Sequence, residues 1–212
     1  MPKPICIVSA ATLSLLVMTG AVSAEPFGKA GANVFSAENL MGIGRANVDP
    51  ERGGDTDTTY FSFFATAESH TPFDVPKLAY DRFVGDGLTV GGFFSYSDVT
   101  DRTGDTESDS NILLIGPRIG YGAGLGDRVG IWARGGITFY TADFDFGLGS
   151  GTISGVGLNL EALFTLHVTP GFMFTVGPVV ALPLSGKAEA AGGEEGLKFR
   201  NIGVMVGVAG IV

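Results

Sequence analysis

Four charged residues lie within segments that consist mostly of small and apolar residues: Glu38, Arg118, Arg134 and Glu161. A charge that leaves water without a partner is costly, so isolated acids and bases of this kind are expected to pair with one another. The chemistry they offer is that of ion pairs, either fixed or able to exchange partners. Whether they meet depends on the elements that carry them and on the register of those elements.

Two hairpins would bring three of these residues together. If one hairpin turns at residues 147–148, Arg134 lies directly opposite Glu161. If the preceding hairpin turns around Gly126, Arg118 lies opposite Arg134. The sequence therefore predicts a ladder of charged side chains across adjacent strands, and the acid of the first strand would add a fourth member.

We interpret this ladder as a salt-bridged plug that fills and stiffens the interior of a barrel. The alternative is a gate, in which the ion pairs exchange partners and open a path for small ions. Placing Arg118 beside Arg134 leaves an excess of positive charge unless Glu38 or another acid approaches. An unbalanced ladder would favour anions, if anything is conducted.

Catalytic and metal-binding residues are not predicted. The two histidines, His70 and His167, both map near one end of the predicted strands, and no serine lies in a G-x-S-x-G nucleophile elbow. Acidic segments offer carboxylates to divalent cations, but residues 101–107 lack the spacing of an EF-hand loop. We therefore expect a protein that is not an enzyme and has no cofactor, with solvated acidic loops.

The charged residues lie on segments with the alternating pattern of β-strands. Within residues 156–166 every second residue is apolar, mostly large, while the residues between them include Gly157, Asn159 and Glu161. Similar alternation along the chain predicts eight strands, at residues 33–47, 58–67, 87–97, 111–121, 128–142, 152–168, 172–184 and 197–212.

The contrast between the two faces of these strands distinguishes two kinds of barrel. A soluble ligand-binding barrel keeps its apolar face inside and needs well-hydrated side chains outside. Here the second face consists mostly of small residues with isolated charges, which suits a narrow lumen better than a water-facing surface. The sequence therefore favours an all-β, eight-stranded antiparallel transmembrane up-and-down barrel over a lipocalin-like one, with its large apolar residues toward lipid.

Short turns and longer acidic connections alternate along the chain. The turns at residues 124–127 and 169–171 are expected to face the periplasm, and the acidic loops the outside. The acids of these loops are Asp49, Glu51, Asp55, Asp57, Asp98, Asp101, Asp105, Glu107, Asp109, Asp143, Asp145, Glu189, Glu194 and Glu195. One connection, at residues 68–86, is too long for a simple turn. Pro72 and Pro76 argue against a continuing strand there, and segment 77–84 is predicted to form a short helix.

Aromatic residues are expected to form girdles at the two membrane interfaces. The predicted outer girdle comprises Tyr60, Phe61, Phe94, Tyr96, Phe139, Tyr140 and Phe199, and the inner one Tyr121 and Phe172. Trp132 has the parity of the lumen face near the inner end, where it is expected to pack rather than to bind a ligand.

The N-terminal segment predicts export. Lys3 precedes an apolar run, and Val22-Ser-Ala24 resembles a signal-peptidase site, so residues 1–24 are expected to be a signal peptide and residues 25–212 the barrel domain. The single cysteine, Cys6, lies in that segment, which excludes disulfides from the predicted mature chain. The formal net charge of −9 makes nucleic acid an unsuitable partner.

Together, the signal pattern, eight strands and alternating connections resemble the small outer-membrane barrels of Gram-negative bacteria, which include the OmpA membrane domain, OmpX and OmpW. Residues 78–92 also look like a stretch that recurs in barrels of this type. The resemblance implies a monomer in the cell outer membrane with a structural or surface-interaction role. Its expected partners are membrane lipids, and a surface ligand or divalent cations at the acidic loops. The alternative is a narrow channel for ions or small hydrophobic molecules.

Overall fold

The computed structural model describes residues 27–51, 54–63, 73, 75–103, 106–145, 150–190 and 193–212. Nine strands run through this part of the chain: β1 Asn33–Pro50, β2 Thr56–Phe63, β3 Lys77–Phe83, β4 Leu88–Thr103, β5 Thr106–Gly124, β6 Val129–Asp145, β7 Ser150–Thr169, β8 Phe172–Ala190 and β9 Gly193–Ile211. In these residues no helix has both the length and the apolar character needed to cross a membrane.

The strands form one antiparallel sheet in the order β2-β1-β3-β4-β5-β6-β7-β8-β9, and pairing of β1 with β9 closes it into a barrel. Both β2 and β3 pair with β1 on its other side. Residues 41–48 of β1 pair with β2, and residues 33–38 pair with β3. Two short strands thus share one position in the wall, so that nine strands complete an eight-position barrel.

The predicted helix at residues 77–84 is wrong, because this segment is strand β3. Its residues alternate between buried and exposed, with Lys77, Ala79 and Asp81 facing inward. The period of two is present in the sequence, and the prolines only precede it. Pro76 stands immediately before the strand, where a missing backbone donor does little harm.

The acidic connections are shorter than predicted because the strands continue into them. The β4–β5 ladder extends to Thr103 paired with Thr106, and the β8–β9 ladder to Ala190 paired with Gly193. Acidic and small residues have low strand propensity, so the sequence places the strand ends too early. The extended hairpins define one end of the barrel, which we call the hairpin end. The short turns and both ends of the described chain lie at the other, the turn end.

The prediction that the large apolar side chains face outward is confirmed. Phe61, Ile119 and Phe164 expose 72%, 64% and 57% of their surface, and many other aliphatic and aromatic side chains do the same. Burial alternates with exposure along the strands, as in residues 157–166. This apolar belt around the outside is what a lipid-facing barrel requires.

Two apolar clusters fill the lumen. The hairpin-side cluster comprises Phe73, Val75, Ala79, Phe93, Ile112, Leu114, Tyr140, Ala142, Ala181, Leu197 and Phe199. The turn-side cluster comprises Ala32, Val34, Phe83, Trp132, Leu163, Met173, Met205, Ala209 and Ile211. The prediction that Tyr140 and Phe199 belong to the outer aromatic girdle is therefore wrong. Both side chains are buried, because their positions in the alternating pattern face the lumen. The lumen is more apolar than the sequence suggested.

Candidate functional site: a charged cluster across the lumen

A β-bulge in β1 orients one of the charged side chains of the site. The pairing of β1 with β9 shifts register between Ala37 and Met41, and Asn39 in this bulge has a φ of 54°. Asn is among the few residues that tolerate this backbone conformation. The Asn39 side-chain amide donates to the carbonyl oxygens of Phe73 and Val75, at 3.0 and 3.3 Å. The bulge thus ties the segment before β3 to the wall and leaves Glu38 pointing into the lumen.

Glu38 is the centre of the cluster. Arg118 donates to both of its carboxylate oxygens, from Nη1 and Nη2 at 2.8 Å each. Arg134 Nη1 and the Ser36 hydroxyl both donate to Oε1, at 2.7 and 2.6 Å. A bidentate guanidinium–carboxylate pair is among the strongest and most directional polar contacts in proteins. One carboxylate from β1 therefore holds arginines from β5 and β6 on the far side of the barrel.

A fifth charged residue, Asp81, belongs to the same cluster. Arg118 Nε donates to its Oδ1 at 3.0 Å, and Arg118 Nη2 pairs with its Oδ2. Arg134 Nη1 lies 3.7 Å from the same carboxylate. Sequence reasoning missed Asp81 because it fell in the predicted helix. The alternation of Lys77, Ala79, Asp81 and Phe83 was the signal that could have found it.

The β6–β7 hairpin brings in Glu161. It lies directly opposite Arg134, in the register that the sequence predicts, and its carboxylate pairs with Arg134 Nη2. Asn159, two residues earlier on the same face, donates to Glu161 Oε1 at 2.8 Å. All four residues named from the sequence thus meet in one place.

The predicted register of the β5–β6 hairpin is wrong by two residues. Arg118 lies opposite Gly136, and Arg134 lies opposite Gly120. The pairing of the two strands is centred on Asp127, one residue later than assumed. The two arginines are therefore diagonal neighbours, which leaves room for carboxylates between them instead of forcing like charges together.

Charge is balanced within this layer of the lumen. Three carboxylates face two guanidinium groups, and the buried Lys77, the register partner of Glu38, adds a third cation. The Lys77 ammonium also lies 5.1 Å from the centre of the Phe93 ring. The positive excess expected for Arg118 and Arg134 alone is cancelled, because Glu38 and a further acid both approach them.

Aromatic rings border the charges on both sides. The Arg134 guanidinium lies 4.3 Å from the centre of the Trp132 ring, and that of Arg118 lies 5.9 Å from Phe93. Trp132 is fully buried, and its indole donates to the Thr89 hydroxyl at 3.4 Å. Rings of this kind exclude water while interacting favourably with a cation through their faces. The arginines therefore lie between carboxylates and apolar layers.

The chemistry that this arrangement offers is that of a buried ion-pair network. Of the two histidines, His70 lies outside the described residues. His167 packs near Phe27 at the turn end, with 5.3 Å between the ring centroids. In the described part of the chain no three His, Cys, Asp or Glu side chains form a metal-binding group. The acidic side chains of residues 101–109 lie outside that part, so the cation prediction for this loop stays open.

Comparison with known proteins gives no family and two informative structures. No protein-family model matches the chain, and no curated protein matches it either. The Neisserial surface protein A structure is 16% identical with a TM-score of 0.54, over 85% of this chain and 98% of that one. The outer membrane protein OprG from Pseudomonas aeruginosa is 15% identical with a TM-score of 0.53, over 87% and 97%.

A third structure, Ail of Yersinia pestis, aligns over 86% of this chain and 99% of that one, with 14% identity and a TM-score of 0.48. The first two establish the fold. This chain has the fold of the small outer-membrane β-barrels, as the sequence pattern suggested.

Proposed function

We propose that this protein is an exported outer-membrane barrel with a closed lumen, and that its role is structural or interactive at the cell surface. The observation that carries the proposal is the buried charged cluster, which links β1, β3, β5, β6 and β7 across the lumen. Apolar clusters lie on both sides of it. An ion that followed the lumen would have to displace paired charges and cross an apolar layer on either side of them.

The proposed location follows from the apolar belt. A barrel that exposes side chains such as Phe61, Phe164 and Ile202 to water would aggregate, whereas lipid accommodates them. The acidic hairpins extend beyond the apolar belt, where they would be exposed to the medium outside the cell and accessible to a binding partner. Nothing in the charged cluster activates a nucleophile or a water molecule, so we propose no catalysis.

Conductance measurements test the closed lumen. The refolded protein in a planar bilayer is expected to show no steady channel events, and a matched variant, Arg128→Gln in an exposed turn, should behave in the same way. Glu38→Ala removes the centre of the cluster, and new events in that variant would identify the pair network as the seal. Steady conductance in the unaltered protein would overturn the proposal.

Labelling of intact cells tests location and orientation. A tag at Gly193, at the tip of the β8–β9 hairpin, should be accessible from outside, and a tag at Gly126, in a turn, should not. The purified protein should begin at Glu25, as predicted for cleavage after Ala24. The reverse labelling pattern, or recovery of the protein from the soluble fraction, would contradict the proposed topology.

A second candidate, a side route for small hydrophobic molecules, has one observation in its favour. Among the described residues β2 pairs only with β1, and residues 95–103 of β4 pair only with β5. A small cavity lies beside β2, lined by Met41, Tyr60 and Ser62 among others. If this is an entrance, a bulky label on Ser62→Cys should block uptake of a small apolar dye into liposomes, and the same label on Thr59→Cys should not.

A further inference from the structure

Charged residues on the outer surface of the barrel are distributed unevenly around its circumference. Three basic side chains, Arg45 on β1 and Lys198 and Arg200 on β9, face outward at the hairpin end. We call them the basic strip. The next outward residues toward the turn end are Ile43 and Ile202, which belong to the apolar belt and are more than half exposed. The basic strip therefore lies at the edge of the belt, where lipid head groups would be.

The strand register places the three cations close together. Arg45 is paired with Ile202 and Asn47 with Arg200, so Arg45 and Arg200 are diagonal neighbours on one face. Lys198 is the next outward residue beyond Arg200 on the same strand. Diagonal neighbours and alternate residues of a strand are both about 7 Å apart. Two long basic side chains at that separation can both contact a single phosphate group.

The cations differ in how they are already engaged. Arg45 pairs with Asp57 through two contacts, at 2.7 and 3.3 Å, and this hydrogen bonding lowers the pKa of Asp57 below its ordinary value. Arg200 lies opposite the neutral Asn47, and Lys198 lies opposite Asp49. Within the part of the chain that the structure describes, no carboxylate forms an ion pair with Lys198 or Arg200.

On the side of the barrel formed by β4 to β7, the outward residues near the hairpin end are acidic or neutral. The corresponding outward positions on β4 to β7 are taken by Asp98, Asn111, Asp143 and Thr152. Thr152 donates to the Asp143 carboxylate at 2.6 Å, which leaves that side negative. In a chain with a formal charge of −9, an anionic group approaching the rim is repelled on one side and attracted on the other.

We propose that the basic strip binds the phosphate group of a phosphorylated membrane lipid in the leaflet at the hairpin end. Arginine suits this partner, because its planar guanidinium donates two parallel hydrogen bonds to a phosphate. Lysine adds a charge without demanding a fixed geometry. The apolar belt immediately below would hold the acyl chains, so one lipid satisfies both surfaces. The inference rests on the proposed membrane location.

Lipid nanodiscs provide the test. The refolded protein is placed in phosphatidylcholine discs that contain a minor fraction of a lipid with a phosphomonoester head group. Native mass spectrometry then counts the phosphomonoester lipids bound to each protein. The double variant Lys198→Gln/Arg200→Gln is expected to bind it about tenfold more weakly, since each basic residue near a membrane surface contributes a severalfold preference for anionic lipid. The control Arg82→Gln/Arg128→Gln removes the same charge at the turn end and should bind as the unaltered protein does.

Each outcome separates the inference from the proposed function. Equal loss in the control, or no loss in the basic-strip variant, would overturn the lipid site while leaving the barrel in its membrane. Displacement of the lipid by millimolar inorganic phosphate would identify a site for free phosphate and overturn the lipid assignment. Failure of the unaltered protein to enter nanodiscs would contradict the proposed membrane location itself.

Discussion

The same ion-pair chemistry occurs in two environments in this barrel. In the lumen, Arg134 holds Glu38 and Glu161 among buried side chains. At the hairpin end, Arg45 holds Asp57 with a comparable distance of 2.7 Å, but both side chains are about half exposed or more. Geometry alone would rate the two sites alike. Burial separates them, because a broken pair in the lumen leaves a charge that water cannot reach, whereas a broken pair at the surface is hydrated at once.

The largest expected effect is therefore the loss of one lumen partner. Glu161→Ala and Arg134→Ala should each lower the free energy of unfolding by about 3–5 kcal/mol, since each removes a whole charged group and leaves the buried cluster with a net charge that is not compensated. The double variant should lose much less than the sum of the two. Urea titration of the protein in detergent micelles measures all three. Additive effects of less than a kilocalorie would mean that the two residues do not interact in the folded protein.

How far the sequence predicts this cluster depends on what sets each register. The β6–β7 register was predicted correctly because the two strands pair without a shift from Asp145 with Ser150 to Val129 with Leu166, and Arg134 with Glu161 belongs to this ladder. The β5–β6 hairpin was not, because a turn with several glycines can be centred on either of two residues with little change in local energy. A shift of that kind preserves which face each residue occupies, so Arg118 was still placed in the lumen.

Other features depended on tertiary structure. The bulge at Asn39 and the division of one wall position between β2 and β3 have no local pattern that predicts them, since they arise where three strands meet β1. Tyr140 and Phe199 were assigned to a girdle from their height in the barrel, although their parity places them inside. The alternating pattern predicts whether a side chain faces the lumen or the lipid, and the distance of a residue from the turns predicts its height in the barrel. An aromatic residue can be assigned to a girdle only when both predictions agree.

A smaller effect is expected for Asp81, whose role was missed from the sequence. Asp81→Asn keeps the shape of the side chain but removes its charge, so Arg118 loses the carboxylate that accepts from its Nε and retains Glu38. We expect a loss of about 1.5–3 kcal/mol, the value of a hydrogen bond to a charged group. The control is Asp127→Asn in an exposed turn, which should leave the unfolding midpoint unchanged. Equal effects of the two changes would remove Asp81 from the cluster.

The bulge residue gives an intermediate test of how the cluster is positioned. Asn39→Ala removes two hydrogen bonds to backbone carbonyls and keeps an unfavourable φ, and it should cost about 1–3 kcal/mol. Asn39→Gly removes the same bonds but relieves the backbone, so it should lose less. The difference between the two variants isolates the conformational part. If glycine were as damaging as alanine, the positive φ would not matter to stability.

The smallest effect is expected at the surface pair, and its dependence on pH and salt is what separates it from the lumen. Asp57 has a lowered pKa because Arg45 donates to it, so the pair stabilises the folded protein above the ordinary pKa of the carboxyl group, and this contribution is lost as the pH falls below it. The unfolding midpoint of Asp57→Asn should therefore lie slightly below that of the unaltered protein at neutral pH and converge with it below about pH 4.

Half-molar salt should also reduce the difference between Asp57→Asn and the unaltered protein, because both side chains of the surface pair are open to screening ions. The Glu161→Ala effect should persist in the same salt, since its partners are buried and screening ions do not reach them. If salt weakened both effects equally, water would have access to the lumen cluster, and the contrast between the two environments would fail together with the proposal of a closed lumen.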